Sequence, residues 1–138
     1  MMQSRMRRMS LLGLVAGAVW LGGCKSAPPP EQVLLYGPNE SIYVTSPRLA
    51  QALRFSPTPL VDRTGSNMEV SVPCQSLGNE RYILDYHFVW YDERGAELAP
   101  AMGWREMIFE PGQTRNFQAT APNARSTGWM LEVRWSNL

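Results

Sequence analysis

The sequence predicts an all-β fold: an antiparallel immunoglobulin-like β-sandwich of about seven strands with one short helix, following a cleaved signal peptide. Three observations carry this reading. Residues 82–91 alternate strictly, with the large apolar Tyr82, Leu84, Tyr86, Phe88 and Trp90 separated by Ile83, Asp85, His87, Val89 and Tyr91, the period of a strand with one face on a core. Turn-forming residues recur at spacings of roughly 8–12 residues, the rhythm of short antiparallel strands. Removal of the first 23 residues leaves 115, enough for one domain with a real core and too few for two.

The N-terminus has the three zones of a bacterial export signal. Arg5, Arg7 and Arg8 form a basic start, residues 11–20 an apolar middle, and Gly22-Gly23 a small-residue exit into Cys24. The apolar stretch from Leu11 to Gly23 is shorter than the about 20 residues a membrane-spanning helix needs. The ending Leu21-Gly22-Gly23-Cys24 resembles a lipobox, in which the cut falls between Gly23 and Cys24 and the cysteine is acylated. Similar lipoproteins carry a diacylglyceryl group plus an N-acyl chain of the palmitate type, and two or more chains anchor a protein stably. In similar Gram-negative proteins an Asp after the cysteine favours the inner membrane. Lys25 stands there instead, so the expected address is the periplasmic face of the outer membrane.

Residues 24–32 form the lipidated end and a tether, with Pro28-Pro29-Pro30 favouring an extended polyproline conformation of about 3.1 Å per residue. Residues 33–138 are then the sandwich. Val33-Leu34-Leu35-Tyr36 and Ile42-Tyr43-Val44-Thr45 read as short strands around a Gly37-Pro38-Asn39 turn. Residues 46–53 carry the one helical signal, with Ser46 as N-cap, Pro47 in the first turn, and Leu49, Ala50 and Leu53 on one face. Pro57 and Pro59 confine residues 55–62 to an edge strand or a loop.

From Met68 onward the period is two. Met68, Val70, Val72 and Cys74 share one face of a strand. Residues 82–91 form the longest and most apolar strand, expected at the centre of a sheet because such a strand on an edge invites aggregation. Asp92-Glu93-Arg94-Gly95 supplies a tight turn, with Gly95 where positive φ is needed. Met107-Ile108-Phe109 runs to the turn Glu110-Pro111-Gly112-Gln113, Phe117 and Ala119 point one way, and Ala121-Pro122-Asn123 breaks the run. The last strand sets Trp129, Leu131, Val133 and Trp135 against Met130, Glu132 and Arg134 on the opposite face.

The whole chain has 13 basic and 12 acidic side chains, but loss of three arginines with the signal leaves the remainder at −2, with Lys25 its only lysine. No basic patch survives, so nucleic-acid binding has no electrostatic support. With Cys24 lipidated, Cys74 has no disulfide partner. The favoured reading makes it a small buried hydrophobe; the other is an intermolecular disulfide or redox thiol, although no basic neighbour lowers its pKa.

The run Asp85-Tyr86-His87-Phe88-Val89-Trp90-Tyr91-Asp92-Glu93-Arg94-Gly95-Ala96-Glu97 resembles the YcfL-like periplasmic lipoproteins, a group defined by a domain of unknown function. Gly103-Trp104, Pro111-Gly112, Ala121-Pro122-Asn123 and the lipobox match as well, and the likeness covers roughly residues 42–135. One departure is Cys74-Gln75, where similar proteins often carry an asparagine. The resemblance implies an outer-membrane lipoprotein. Some members are encoded beside a lipoprotein that activates peptidoglycan synthases, which implies a role in envelope assembly.

No residue set supplies a nucleophile with a base, a metal cluster or a cofactor cradle. His87, the only histidine, lies on the outward face two residues from Asp85, and reads as a solvated side chain. One histidine and one free cysteine do not make a zinc site, and Asp92 with Glu93 is explained by the turn. The expected function is therefore non-catalytic, with no metal and no cofactor. The first hypothesis is a tethered module docking another envelope protein through Ile83, Val89, Tyr91, Met102 and Trp104; the alternative for this apolar stripe is that the N-terminal segment or the short helix covers it. The second is a glycan, peptidoglycan or small-ligand domain stacking on Trp104 and Tyr91.

Overall fold

The computed structural model describes residues 34–36 and 41–137. The export signal, the Gly23/Cys24 junction, the tether and the Gly37-Pro38-Asn39 turn lie outside the described residues. Among those described, the chain runs β1 (Leu34–Tyr36), β2 (Ile42–Val44), α1 (Pro47–Ala52), β3 (Leu53–Phe55), β4 (Leu60–Asp62), β5 (Glu69–Ser76), β6 (Tyr82–Tyr91), β7 (Arg105–Phe109), β8 (Thr114–Thr120) and β9 (Gly128–Trp135). The strands make two sheets enclosing one core, the β-sandwich the period-two pattern predicts.

The larger sheet has the order β1-β2-β9-β6-β7, with β6 in its interior as expected. Its pairings are antiparallel except one: β2 runs parallel to β9, with Ile42 opposite Leu131 and Val44 opposite Val133. The purely antiparallel expectation is corrected here. A hairpin cannot join parallel neighbours, and after β2 the chain leaves for the other sheet, comes back as β6 and β7, and reaches the side of β2 only with β9.

In the smaller sheet β5 is the spine. It pairs with β8 along one edge over residues 69–75. Its other edge is shared by β4, opposite residues 69–71, and β3, opposite residues 74–76. Pro73 falls in the gap between these two partners, where its missing N–H leaves no ladder bond unmade. Its carbonyl accepts from the Ser56 N–H at 2.8 Å. The segment with Pro57 and Pro59 thus reads correctly as broken edge structure.

Helix α1 begins as its sequence dictates. Ser46 has extended backbone, and its hydroxyl oxygen accepts from the Leu49 N–H at 3.4 Å. Pro47 opens the helix while Leu49 and Ala50 are buried. The Asp92–Gly95 turn is equally determined. Gly95 has φ +79°, and Asp92 Oδ1 accepts from the backbone N–H groups of Arg94 and Ala96, both at 2.9 Å.

The core follows the alternation. Leu84, Tyr86, Phe88 and Trp90 are buried on β6, and Val70, Val72 and Cys74 on β5. Two aromatic groups fill it. Phe88 stacks on Trp90 at 5.5 Å and meets Trp129 at 6.0 Å. Phe117 of β8, fully buried, touches Phe55 at 6.1 Å, Tyr86 at 5.0 Å and Phe109 at 5.8 Å. It therefore joins its own sheet to both β6 and β7 across the interior.

Phe117→Ala is expected to cost about 3–5 kcal/mol, the range for a buried aromatic emptied to a cavity, against a usual total of about 5–15 kcal/mol. Chemical denaturation with an unchanged slope and a lowered midpoint would show this. A loss no larger than that of an exposed substitution would contradict the assignment.

Candidate functional site

The site grows out of one unequal pairing. β6 is 10 residues long and β7 is 5, so β7 covers only Tyr82–Tyr86. Beyond Tyr86, that edge of β6 is served by the return segment 92–104. The Leu98 N–H donates to the Trp90 carbonyl at 2.8 Å. The Phe88 N–H donates to Met102 Sδ at 3.4 Å, and Leu98 itself is buried. Two residues past Met102, the chain delivers Trp104 to the outer face of the larger sheet.

There Trp104 meets side chains of β6 and β9. Its ring stacks on His87 with centroids 3.9 Å apart and planes at 15°. The Arg134 guanidinium carbon lies 3.7 Å from the indole centroid, a cation–π contact. His87 stands opposite Glu132 and Arg134 opposite Asp85, so His87 and Arg134 are diagonal neighbours. Such neighbours lie about 7–8 Å apart, a spacing that accommodates one ring plane between two partners. His87 Nε2 is 2.9 Å from Glu132 Oε2, and Arg134 reaches Asp85 Oδ2 at 3.6 Å. Arg134 Nε is buried without a hydrogen-bond partner. Trp104 nonetheless keeps 36% of its surface exposed.

The five surface residues expected from the sequence are thus only partly together. Ile83, Val89 and Tyr91 are half-buried on the outer face of β6, and Trp104 is exposed above it. Met102 departs from the expectation: it packs against the core and accepts a backbone hydrogen bond from β6, so it supports the face instead of presenting it. Burial, then Glu97, Tyr43 and Glu132, push the Tyr91 hydroxyl up. This fixes the phenol in its neutral form beside an acidic surround. The Asp85–His87 pair that sequence proximity suggests does not form. The residues missed as site members are Glu132 and Arg134, visible in the sequence as the outward positions of the last strand but with no sign of their register.

Cys74 is buried and free. Burial pushes its thiol up from 9.0 to about 12, against a smaller opposing effect of a backbone hydrogen bond involving Arg54. Such a thiol packs as a hydrophobe and is a poor nucleophile. No group of three or more His, Cys, Asp or Glu positioned for a metal occurs among the described residues.

Two measurements check these assignments. Above pH 9 an unfolded thiol loses its proton while folded Cys74 keeps it. Its contribution is therefore whole below pH 9 and lost as pH rises towards 12, by at most about 1.4 kcal/mol per pH unit. Denaturant stability of the protein, compared with Cys74→Ala, should fall faster above pH 9; parallel curves would contradict burial of the thiol. For the indole, a double-mutant cycle of Trp104→Ala with Arg134→Gln should return a coupling of about 0.5–1 kcal/mol, and strict additivity would show that the contact is idle.

A family model described as a protein of unknown function (DUF1425) matches residues 40–135. No curated protein matches the chain. Two crystal structures share its fold. A DUF1425 family member from Shewanella sp. pv-4 is 22% identical, with a TM-score of 0.55 over 62% of this chain and 80% of its own. The Campylobacter jejuni protein Cj0090 is 16% identical, with a TM-score of 0.56 over 70% of this chain and 98% of its own. At these identities the likeness speaks for the fold alone. The family match spans well over half of the sequence, and the chain belongs to the DUF1425 family.

Proposed function

We propose that this chain is a YcfL-like lipoprotein, anchored through Cys24 to the periplasmic face of the outer membrane. In this reading its β-sandwich is a non-catalytic module that docks another envelope protein. The anchor rests on the export-signal pattern ending in Leu21-Gly22-Gly23-Cys24. The docking role rests on one observation above all: Trp104 is held against His87 and Arg134 while more than a third of its surface faces solvent. An immobilised aromatic loses little entropy on binding, which is the property of an interface hot spot.

The surroundings specify the partner's chemistry. Asp85, Glu106 and Glu132 share the outer face, and Arg134 stands among them as a cation. Half-buried Ile83 and Val89 supply an apolar margin. A matching surface therefore offers a cleft for an indole, lined by apolar side chains and rimmed by lysine or arginine. The single fixed indole also suits stacking on a sugar ring, which keeps the glycan reading as the competing outcome.

Site-specific photocrosslinking of the lipidated protein in cells tests both parts. A crosslinker replacing Glu106 should capture one discrete envelope protein, and Trp104→Ala or Val89→Glu should remove that adduct while the domain stays folded. A crosslinker replacing Arg115, on the other sheet, should capture nothing. Equal capture from both positions would overturn the docking face, and retention on purified sacculi that needs Trp104 would replace it with glycan binding. Cys24→Ser should release the chain from the membrane fraction; unchanged pelleting would remove the anchor.

A further inference from the structure

A second region, away from Trp104, carries its own recognition chemistry. At one end of the sandwich, α1, the β5–β6 connection, the start of β6 and the end of β9 surround a cavity of about 590 Å³, a size typical of small-ligand sites. Its apolar wall is Leu77, Tyr82 and Trp135. Leu77 is 45% exposed, and Tyr82 meets Trp135 edge-to-face at 5.3 Å. The Tyr82 ring also lies hard against Gly78: any side chain there would collide with its hydroxyl and ring carbons. Glycine at 78 is thus the condition for this position of the tyrosine. The aromatic corner is built before any ligand arrives.

The charges around it are selective. Four charged side chains lie at or beside the cavity. Arg81 is already neutralised by Glu110, with contacts of 2.7 and 2.8 Å. Arg48 and Glu80 both line the cavity, and neither has a side-chain hydrogen bond or ion pair among the described residues. One unpaired cation and one unpaired anion beside an apolar wall complement a zwitterion with an apolar side chain. A dianion would meet Glu80, and a dication would meet Arg48.

We propose that this cavity binds a short apolar peptide through its free termini, with the carboxylate on Arg48, the ammonium on Glu80 and the side chain against Tyr82, Trp135 and Leu77. The guanidinium fork suits a carboxylate in two-point contact. No bond is made or broken in the process; the peptide is held, not processed.

Saturation-transfer NMR titrations of the full chain in detergent micelles test this, with alanyl-phenylalanine, its C-terminal amide and its N-acetyl derivative as probes. The free dipeptide should bind saturably, and each blocked form should bind about tenfold more weakly or worse. Arg48→Gln should erase the difference between acid and amide, and Glu80→Gln the difference between amine and acetyl form. Both residues are exposed, so neither change threatens the fold. Gly78→Ala should weaken all three probes by displacing Tyr82. Lack of saturable binding, or equal binding of free and blocked forms, would overturn the proposal.

Discussion

A ten-residue strand beside a five-residue one leaves half an edge without partners, and much of this molecule's surface follows from that deficit. Strand β6 is too apolar to lie open, because unpaired backbone groups beside buried aromatics are costly. The segment after the Asp92–Gly95 turn closes the gap with one backbone donor and one thioether acceptor. Such a return cannot continue as a regular ladder, since Ala99-Pro100 interrupts it. It crosses the sheet margin instead, and Trp104 lands over β6 and β9. The exposed indole is thus a by-product of completing a strand.

The interior meets a different constraint. The two sheets differ in regularity: one sets its five strands in a single lateral order, and the other divides one edge of β5 between β3 and β4. A single large side chain, Phe117, spans the irregular side and touches both β6 and β7. Small residues complete the fit, with Cys74 and Ser76 on the inward face of β5. Ser76 keeps a buried hydroxyl without a partner, a modest cost tolerated where the strand ends.

Most of the fold was legible in the sequence because period-two alternation records which side of a strand faces the core. Residues 68–74, 82–91 and 129–135 all obey it. The Ser46 cap and the positive φ of Gly95 were legible for local reasons, each needing only its immediate neighbours. What alternation does not encode is lateral order. Asp85 and His87 are two apart in sequence, about 6.5 Å along a strand, whereas residues directly opposite on neighbouring strands approach to about 4.5–5.5 Å. Glu132 therefore wins His87, and Arg134 wins Asp85. The parallel seating of β2 on β9 was hidden for the same reason, as was the inward role of Met102.

The position of β9 between β2 and β6 has a bearing on how the chain comes to be folded. The strand that fastens the early part of the domain to its centre is the last one made. A chain still lacking residues 128–135 leaves β2 with only β1 and β6 with only β7, and nothing joins the two pairs. Closing so long a loop is entropically demanding and slow. Lateral closure of the larger sheet is therefore a terminal event, and a partly emerged chain remains an open thread until its final strand is in hand.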